Sequence, residues 1–138
     1  MSSLKELTEG LPYTYELAAQ GTAGDTGTTV ISNFTVPFDG TVLKVEIVPR
    51  AGITANATNF AVYTVQNKGP LGSGSTAVAS RTWAATNSVA GTKEQATLNV
   101  TAANREVKAG DQLQLVRSIG AAGLATPAMS WIITIQPR

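Results

Sequence analysis

The chain has 138 residues and a formal charge of +1, and it contains neither cysteine nor histidine. This length fits one domain, which can bury roughly two-thirds of the surface of its unfolded chain. The ten basic residues are scattered singly, and no apolar stretch approaches the roughly 20 residues of a membrane helix, so nucleic acid and membranes are not expected partners. Because no disulfide or thiolate metal site can form, stability must come from packing, strand pairing or oligomerisation.

The first 27 residues are predicted to form an N-terminal arm that precedes the body of the fold. Leu4 and Leu7 share one face of a short helix of at most two turns. Residues 13–17 then alternate apolar and polar side chains in the period of a strand. Residues 20–29 are rich in glycine and lack apolar periodicity, which predicts a loop. The polar N-terminus has no basic and apolar regions of a secretion signal, so we expect a soluble protein made in the cytoplasm.

From residue 28 to residue 138 the pattern changes to short β-branched runs separated by turn residues, which is typical of antiparallel strands in one sandwich domain. With residues 13–17 included, about eight strands are predicted, the number in a double-sheet jelly roll. Several connections are long enough for a Greek key. The sequence therefore predicts an all-β fold, an antiparallel β-sandwich or jelly roll with an N-terminal arm. The other predicted strands are residues 30–36, 41–48, 59–66, 76–83, 94–101, 111–118 and 129–136.

The clearest predicted hairpin joins the first two strands of this domain through a turn at Asp39 and Gly40. In the second of these strands, alternation places Leu43, Val45 and Ile47 on one face and the charged residues on the other.

Catalysis is not expected, because the chain has no histidine, the commonest general base and metal ligand, and no cysteine, a strong nucleophile. The tripeptide Asp25-Thr26-Gly27 matches the core of retroviral-type aspartic proteases, but a glycine-rich segment precedes it where that family has an apolar strand. We therefore predict a protein that is not an enzyme, with no catalytic, cofactor-binding or metal-binding residues. The remaining carboxylates are predicted to be solvated surface groups: Asp39, Asp111, Glu46, Glu94 and Glu106.

Apolar and aromatic residues are concentrated in the N-terminal arm, which is too short to bury them alone. They are predicted to bind a partner protein or a neighbouring subunit, although an arm that folds back over its own domain remains an open alternative. These residues are Leu4, Leu7, Leu11, Tyr13 and Tyr15. Trp83 and Trp131 are predicted core residues. The arginines considered for an interface are predicted to lie on a solvated face, namely Arg50, Arg81, Arg105 and Arg117.

The order of turn sequences supplies a resemblance, and it is carried by residues 34–42, 57–59, 67–69 together with 72–74, 109–113 and 123–127. The first of these reads Phe-Thr-Val-Pro-Phe-Asp-Gly-Thr-Val, and the fourth reads Ala-Gly-Asp-Gln-Leu. In this order of turns, residues 30–137 resemble a family of small structural proteins of tailed phages that includes capsid decoration (cement) proteins.

This resemblance implies a jelly-roll body, often a homotrimer, that binds the outside of an icosahedral shell at its local symmetry axes and reinforces it. The implied partner is the major capsid protein, and the implied location is the capsid surface of the virion. No catalytic residue is implied. The alternative is a receptor- or glycan-binding module of a phage fibre, since jelly rolls also serve as lectin domains. That function needs an exposed aromatic platform, for which Trp83, Tyr63 and Trp131 are the candidates.

Overall fold

The computed structural model describes residues 11–24 and 27–138, which form ten β-strands and a short 3-10 turn at Ala102–Arg105. No helix in these residues is long and apolar enough to cross a membrane. The strands are β1 (Tyr13–Ala19), β2 (Thr29–Thr35), β3 (Gly40–Pro49), β4 (Phe60–Asn67), β5 (Thr76–Thr82), β6 (Glu94–Gln95), β7 (Thr97–Leu98), β8 (Glu106–Val107), β9 (Gln112–Gly120) and β10 (Met129–Pro137).

The strands form two antiparallel sheets that pack face to face. The first sheet has the order β1-β10-β3-β6, with β8 also paired to β3, and the second has the order β2-β9-β4-β5-β7. If the short strands β6, β7 and β8 are counted as one interrupted strand, these orders are those of a jelly roll built from two Greek keys. The predicted fold class is therefore confirmed, with about ten strands where about eight were predicted.

The predicted hairpin at Asp39 and Gly40 is wrong, because β2 and β3 belong to different sheets. Residues 36–39 cross from one sheet to the other, and each strand takes a partner far away in sequence. The Asp39 carboxylate accepts a hydrogen bond from the backbone N–H of Ala109 at 2.9 Å and so ties the crossing to a distant loop. Gly40 has a different role from the predicted turn: a Cβ at this position would lie 2.5 Å from the carbonyl oxygen of Gln136.

The predicted faces of β3 are also partly wrong, because the strand contains a β-bulge. Val42 pairs with Ile135 and Lys44 pairs with Thr134, so Leu43 is an extra residue between two consecutive partners. The bulge shifts the alternation by one position. Val42 is consequently buried together with Val45, whereas the Leu43 side chain is 44% exposed.

The segment predicted as a strand at residues 94–101 is divided between the two sheets, as β6 in the first and β7 in the second. The space between the sheets holds the core, and its largest side chains include Trp83 and Trp131, both with 0% exposure. The prediction that these tryptophans are core residues is therefore confirmed.

The predicted N-terminal arm includes residues 13–19, but these residues form β1 and pair with β10 along their whole length, from Tyr13 opposite Ile135 to Ala19 opposite Met129. They are therefore strand residues of the sandwich.

Candidate interaction surface at the open edge of the sandwich

One lateral edge of the sandwich is bounded by β1 and β2, which are the outermost strands of their respective sheets among the described residues. The Ser32 hydroxyl of β2 donates a hydrogen bond to the carbonyl oxygen of Ala18 in β1 at 2.8 Å. The same hydroxyl accepts a hydrogen bond from the Trp131 indole at 2.8 Å. Near Ala18 the two edge strands are therefore held together by side chains of the chain itself.

Toward the start of β1, the two sheets are joined at this edge by contacts between aromatic rings. The Tyr15 ring packs against Phe34 of β2 with the ring centroids 4.8 Å apart. The Tyr13 ring packs against Phe38 in the crossing between the sheets, with the centroids 5.2 Å apart. Both pairs are tilted, which is a favourable geometry for aromatic rings. We call these four residues the aromatic seam.

The strand register explains why the seam is only half-buried. Tyr13 and Tyr15 lie opposite Ile135 and Ile133, which are fully buried, so both tyrosines face the space between the sheets. Because β1 is an edge strand, none of the described strands covers them on their outer side. Tyr13 remains 37% exposed, and Leu11, two residues before it, is 58% exposed.

The phenol of Tyr15 is kept in its neutral form. Partial burial raises its pKa above the ordinary value of 10.0, and the neighbouring Tyr13 phenol raises the pKa further. The seam therefore presents apolar rings together with the uncharged hydroxyl group of Tyr15, and aromatic residues with a polar end are enriched at protein-binding surfaces.

Three of the five predicted binding residues, Leu11, Tyr13 and Tyr15, are thus found along this edge. Leu4 and Leu7 lie outside the described residues, as do Asp25 and Thr26 of the protease-like tripeptide. The binding role of all five residues stays a prediction. Sequence reasoning missed Phe34 and Phe38 because it assigned them to a hairpin, although two phenylalanines that flank Pro37 were a visible signal.

The opposite lateral edge is closed by a buried polar cluster. Arg81 of β5 forms an ion pair with Glu94 of β6, which joins the second sheet to the first. The same carboxylate accepts a hydrogen bond from the Ser88 hydroxyl at 2.8 Å, and Ser88 accepts one from the Trp83 indole at 2.5 Å. The Arg81 and Glu94 side chains are only 14% and 12% exposed. The prediction that both lie on a solvated surface is therefore wrong.

Arg117 of β9 was also predicted to be solvated, and it is fully buried. Its guanidinium donates hydrogen bonds to the carbonyl oxygens of Ala23 at 3.0 Å and Leu124 at 2.6 Å. The first carbonyl belongs to the loop between β1 and β2, and the second to the loop between β9 and β10. The arginine therefore holds two loops at one end of the sandwich, which accounts for its burial.

Tyr63 of β4 lies opposite Arg117 and closes the same end of the core. Its hydroxyl group donates a hydrogen bond to the Thr126 hydroxyl at 2.6 Å, and Thr126 is 2.8 Å from the hydroxyl of Thr22. Burial raises the pKa of Tyr63 above 10.0, against smaller lowering effects of the Thr126 hydrogen bond and the Arg117 charge.

Two further carboxylates differ from the solvated-surface prediction. Asp111 is buried and accepts hydrogen bonds from the Asn67 side chain and the backbone N–H of Lys108. Glu46 is buried beside Lys44, with 3.5 Å between the charged atoms. In the described part of the chain, no cluster of three or more acidic side chains is arranged to hold a metal ion.

The glycan-binding alternative needed an exposed aromatic platform at Trp83, Tyr63 or Trp131. All three side chains are buried, with at most 1% exposure. They cannot stack on a sugar without unfolding of the core, so the prediction of an exposed aromatic platform at these residues is wrong.

The outer face of the second sheet differs chemically from that of the first. The strand register places the only charged residues of its strands, Arg81 and Arg117, opposite buried Tyr63, so both point inward. The outward side chains are neutral. They include Val30, Asn33, Thr35, Val62, Thr64, Gln66, Ser80, Thr82, Gln112, Gln114, Val116 and Ser118.

Comparison with known proteins gives similarity at the level of solved structures. No protein-family model matches the chain, and no curated protein matches it. A structure of infectious bursal disease virus, Gx strain, is similar over 91% of this chain and 32% of its own, with a TM-score of 0.47 and 14% identity. A structure of the Gt strain is similar over 91% of this chain and 33% of its own, with a TM-score of 0.39 and 19% identity. The chain thus spans about a third of the length of these viral chains.

Proposed function

We propose that this protein is a non-enzymatic structural protein of a tailed phage, which binds the outer surface of the capsid and stabilises the shell. Support comes from the resemblance in the order of turns, from the jelly-roll topology that this resemblance implies, and from the aromatic seam. The seam is the observation that carries the proposal, because it is a half-buried apolar surface at an edge that residues 11–24 and 27–138 leave partly exposed.

The mechanism is cross-bridging of shell subunits. Docking of the seam on a capsid protein removes Leu11 and Tyr13 from water, which stabilises the contact by about 25 cal/mol per Å² of apolar surface. The free energy of one such contact is small. Several contacts made by one decoration assembly act together, since each bound contact raises the effective concentration of the next. Weak individual contacts are therefore compatible with firm reinforcement of the shell.

Co-sedimentation with expanded phage heads that lack the protein tests the proposal. We expect the purified chain to pellet with the heads at a saturable stoichiometry. Leu11→Asp places a charge beside the seam, outside any described strand, and we expect it to weaken binding by at least about tenfold. Leu71→Asp is the matched control, because Leu71 is a highly exposed leucine in the loop between β4 and β5. A chain that never pellets would rule out the decoration function.

A further inference from the structure

The second sheet has an outer face without charge, and this is unusual for a protein surface. Its five strands contain only two charged residues, Arg81 and Arg117, and both point into the sandwich. The first sheet, in contrast, has Glu16 and Glu46 on either side of Ile132 on its outer face, with Lys44 close by. Charged side chains are depleted at the centres of protein interfaces relative to the rest of the surface.

The neutral face combines an apolar row with a pair of amides. Val30 pairs with Val116, which pairs with Thr64. Val30 is 47% exposed and Val116 only 6%, so Val30 supplies the accessible apolar surface of this row. In the adjacent row Gln114 lies opposite Gln66. Their side-chain amides form no hydrogen bond within the described residues. An amide both donates and accepts, so a row of amides is complementary to a copy of itself.

We infer that a second copy of this chain docks on the outer face of the second sheet, face to face about a twofold axis. In a twofold contact, residue i of one copy meets residue j of the other, and a group at the axis meets its own counterpart. Like charges at the axis would repel one another, whereas the exposed Val30 and the amides can contact their counterparts there favourably. The neutral face satisfies this condition, and the outer face of the first sheet, with Glu16 and Glu46, does not.

The area of the face sets the strength of the contact. Four strands about 4.8 Å apart, with about seven residues each, give a footprint of roughly 400–500 Å² per copy. Stable interfaces bury about 800 Å² per partner. The pair is therefore a reversible, concentration-dependent dimer, and it does not depend on the proposed function.

Analytical ultracentrifugation of the full chain over about a hundredfold range of concentration tests this inference. We expect the wild-type chain to shift from monomer to dimer, and Val30→Lys to raise the dissociation constant by at least about tenfold. Leu43→Lys adds the same charge to the first sheet at a residue of nearly equal exposure, and we expect it to leave the dimer unchanged. Gln114→Lys is a second disrupting variant, and circular dichroism confirms that each variant is folded.

Three results would overturn the inference. These are a wild-type chain that stays monomeric at the highest concentration, a trimer as the associated species, and equal weakening by Val30→Lys and Leu43→Lys. A trimer is the assembly that the family resemblance implies, and threefold symmetry joins two unlike surfaces. The mass of the associated species therefore separates the two arrangements.

Discussion

The two lateral edges of the sandwich are closed in different ways. At one edge, an ion pair between Arg81 and Glu94 joins the sheets, and Trp83 packs beneath the guanidinium, whose carbon is 5.6 Å from the ring centroid. At the other edge, the aromatic seam fills the gap while its rings remain half exposed. The first edge pairs its opposite charges within the chain, although the buried Nε of Arg81 has no hydrogen-bond partner among the described residues. The second edge leaves apolar surface partly exposed among the described residues, and this difference is the basis of the proposed function.

The largest loss of stability is expected when the ion pair at the closed edge, between Arg81 and Glu94, is broken. Glu94→Gln leaves the Arg81 guanidinium buried without a countercharge, and we expect a loss of about 3 kcal/mol in the free energy of unfolding. The matched control is Glu106→Gln, which removes the charge partner of Arg138 from an exposed pair. We expect this control to cost less than about 1 kcal/mol. Urea unfolding measures both, and equal losses would contradict the assignment of Arg81 and Glu94 as a buried closing pair.

A smaller effect is expected at the seam. Tyr15→Ala removes a half-buried ring, so we expect a loss of about 1–2 kcal/mol, below the 3–5 kcal/mol of a fully buried aromatic residue. A double-mutant cycle with Phe34→Ala isolates the ring–ring contact, whose expected coupling is about 1 kcal/mol. A loss as large as that of a core aromatic would show that the seam is a closed part of the core.

Tyr63→Phe probes the core between the two edges through its pH dependence. The substitution removes the hydrogen bond to Thr126 and should cost about 1 kcal/mol at neutral pH. Because the folded-state pKa of Tyr63 is raised, the stability linked to its neutral form is fully present below the unfolded value of about 10 and is lost as pH rises through the folded pKa. Urea unfolding between neutral and alkaline pH should therefore show a weaker alkaline decline in Tyr63→Phe. An unchanged decline would exclude Tyr63 as its source.

Deletion of residues 1–12 should have the smallest effect on stability. It keeps every described strand, because β1 begins at Tyr13, and we expect a change of about 0.5 kcal/mol or less in the free energy of unfolding. It also removes Leu11 and the predicted binding residues Leu4 and Leu7, so we expect weaker binding to phage heads. Unfolding of the truncated chain, or unchanged binding by it, would defeat the role of this segment in docking.

The positions of the strands could be predicted from the sequence, because alternation and turn residues are local signals. The partners of the strands could not. β2 and β3 are close in sequence, yet their partners β9 and β10 lie far along the chain, and the stability of such pairing depends on the whole fold. A single bulge at Leu43 was enough to exchange the predicted positions of Val42 and Leu43 at the start of β3, while Val45 and Ile47 keep the predicted buried face.

Charge was a poor guide to burial in this chain. Arg117 was predicted to be solvated because isolated arginines usually are, but carbonyl groups of two loops converge on its guanidinium. Glu94 is only 12% exposed because Arg81 pairs with it across the sandwich. In the candidate site, Tyr13 and Tyr15 could be recognised from their alternation, whereas their ring partners Phe34 and Phe38 depend on how two sheets meet.

Hydrogen–deuterium exchange of the chain, free and bound to phage heads, tests directly whether the aromatic seam is the docking surface. We expect slower exchange on binding in peptides that cover β1 and the crossing at residues 36–39, where the seam lies. We expect no change in peptides that cover β5 and β6 at the opposite edge. Protection confined to β5 and β6, or absent from the seam in the bound state, would show that the seam does not dock on the shell.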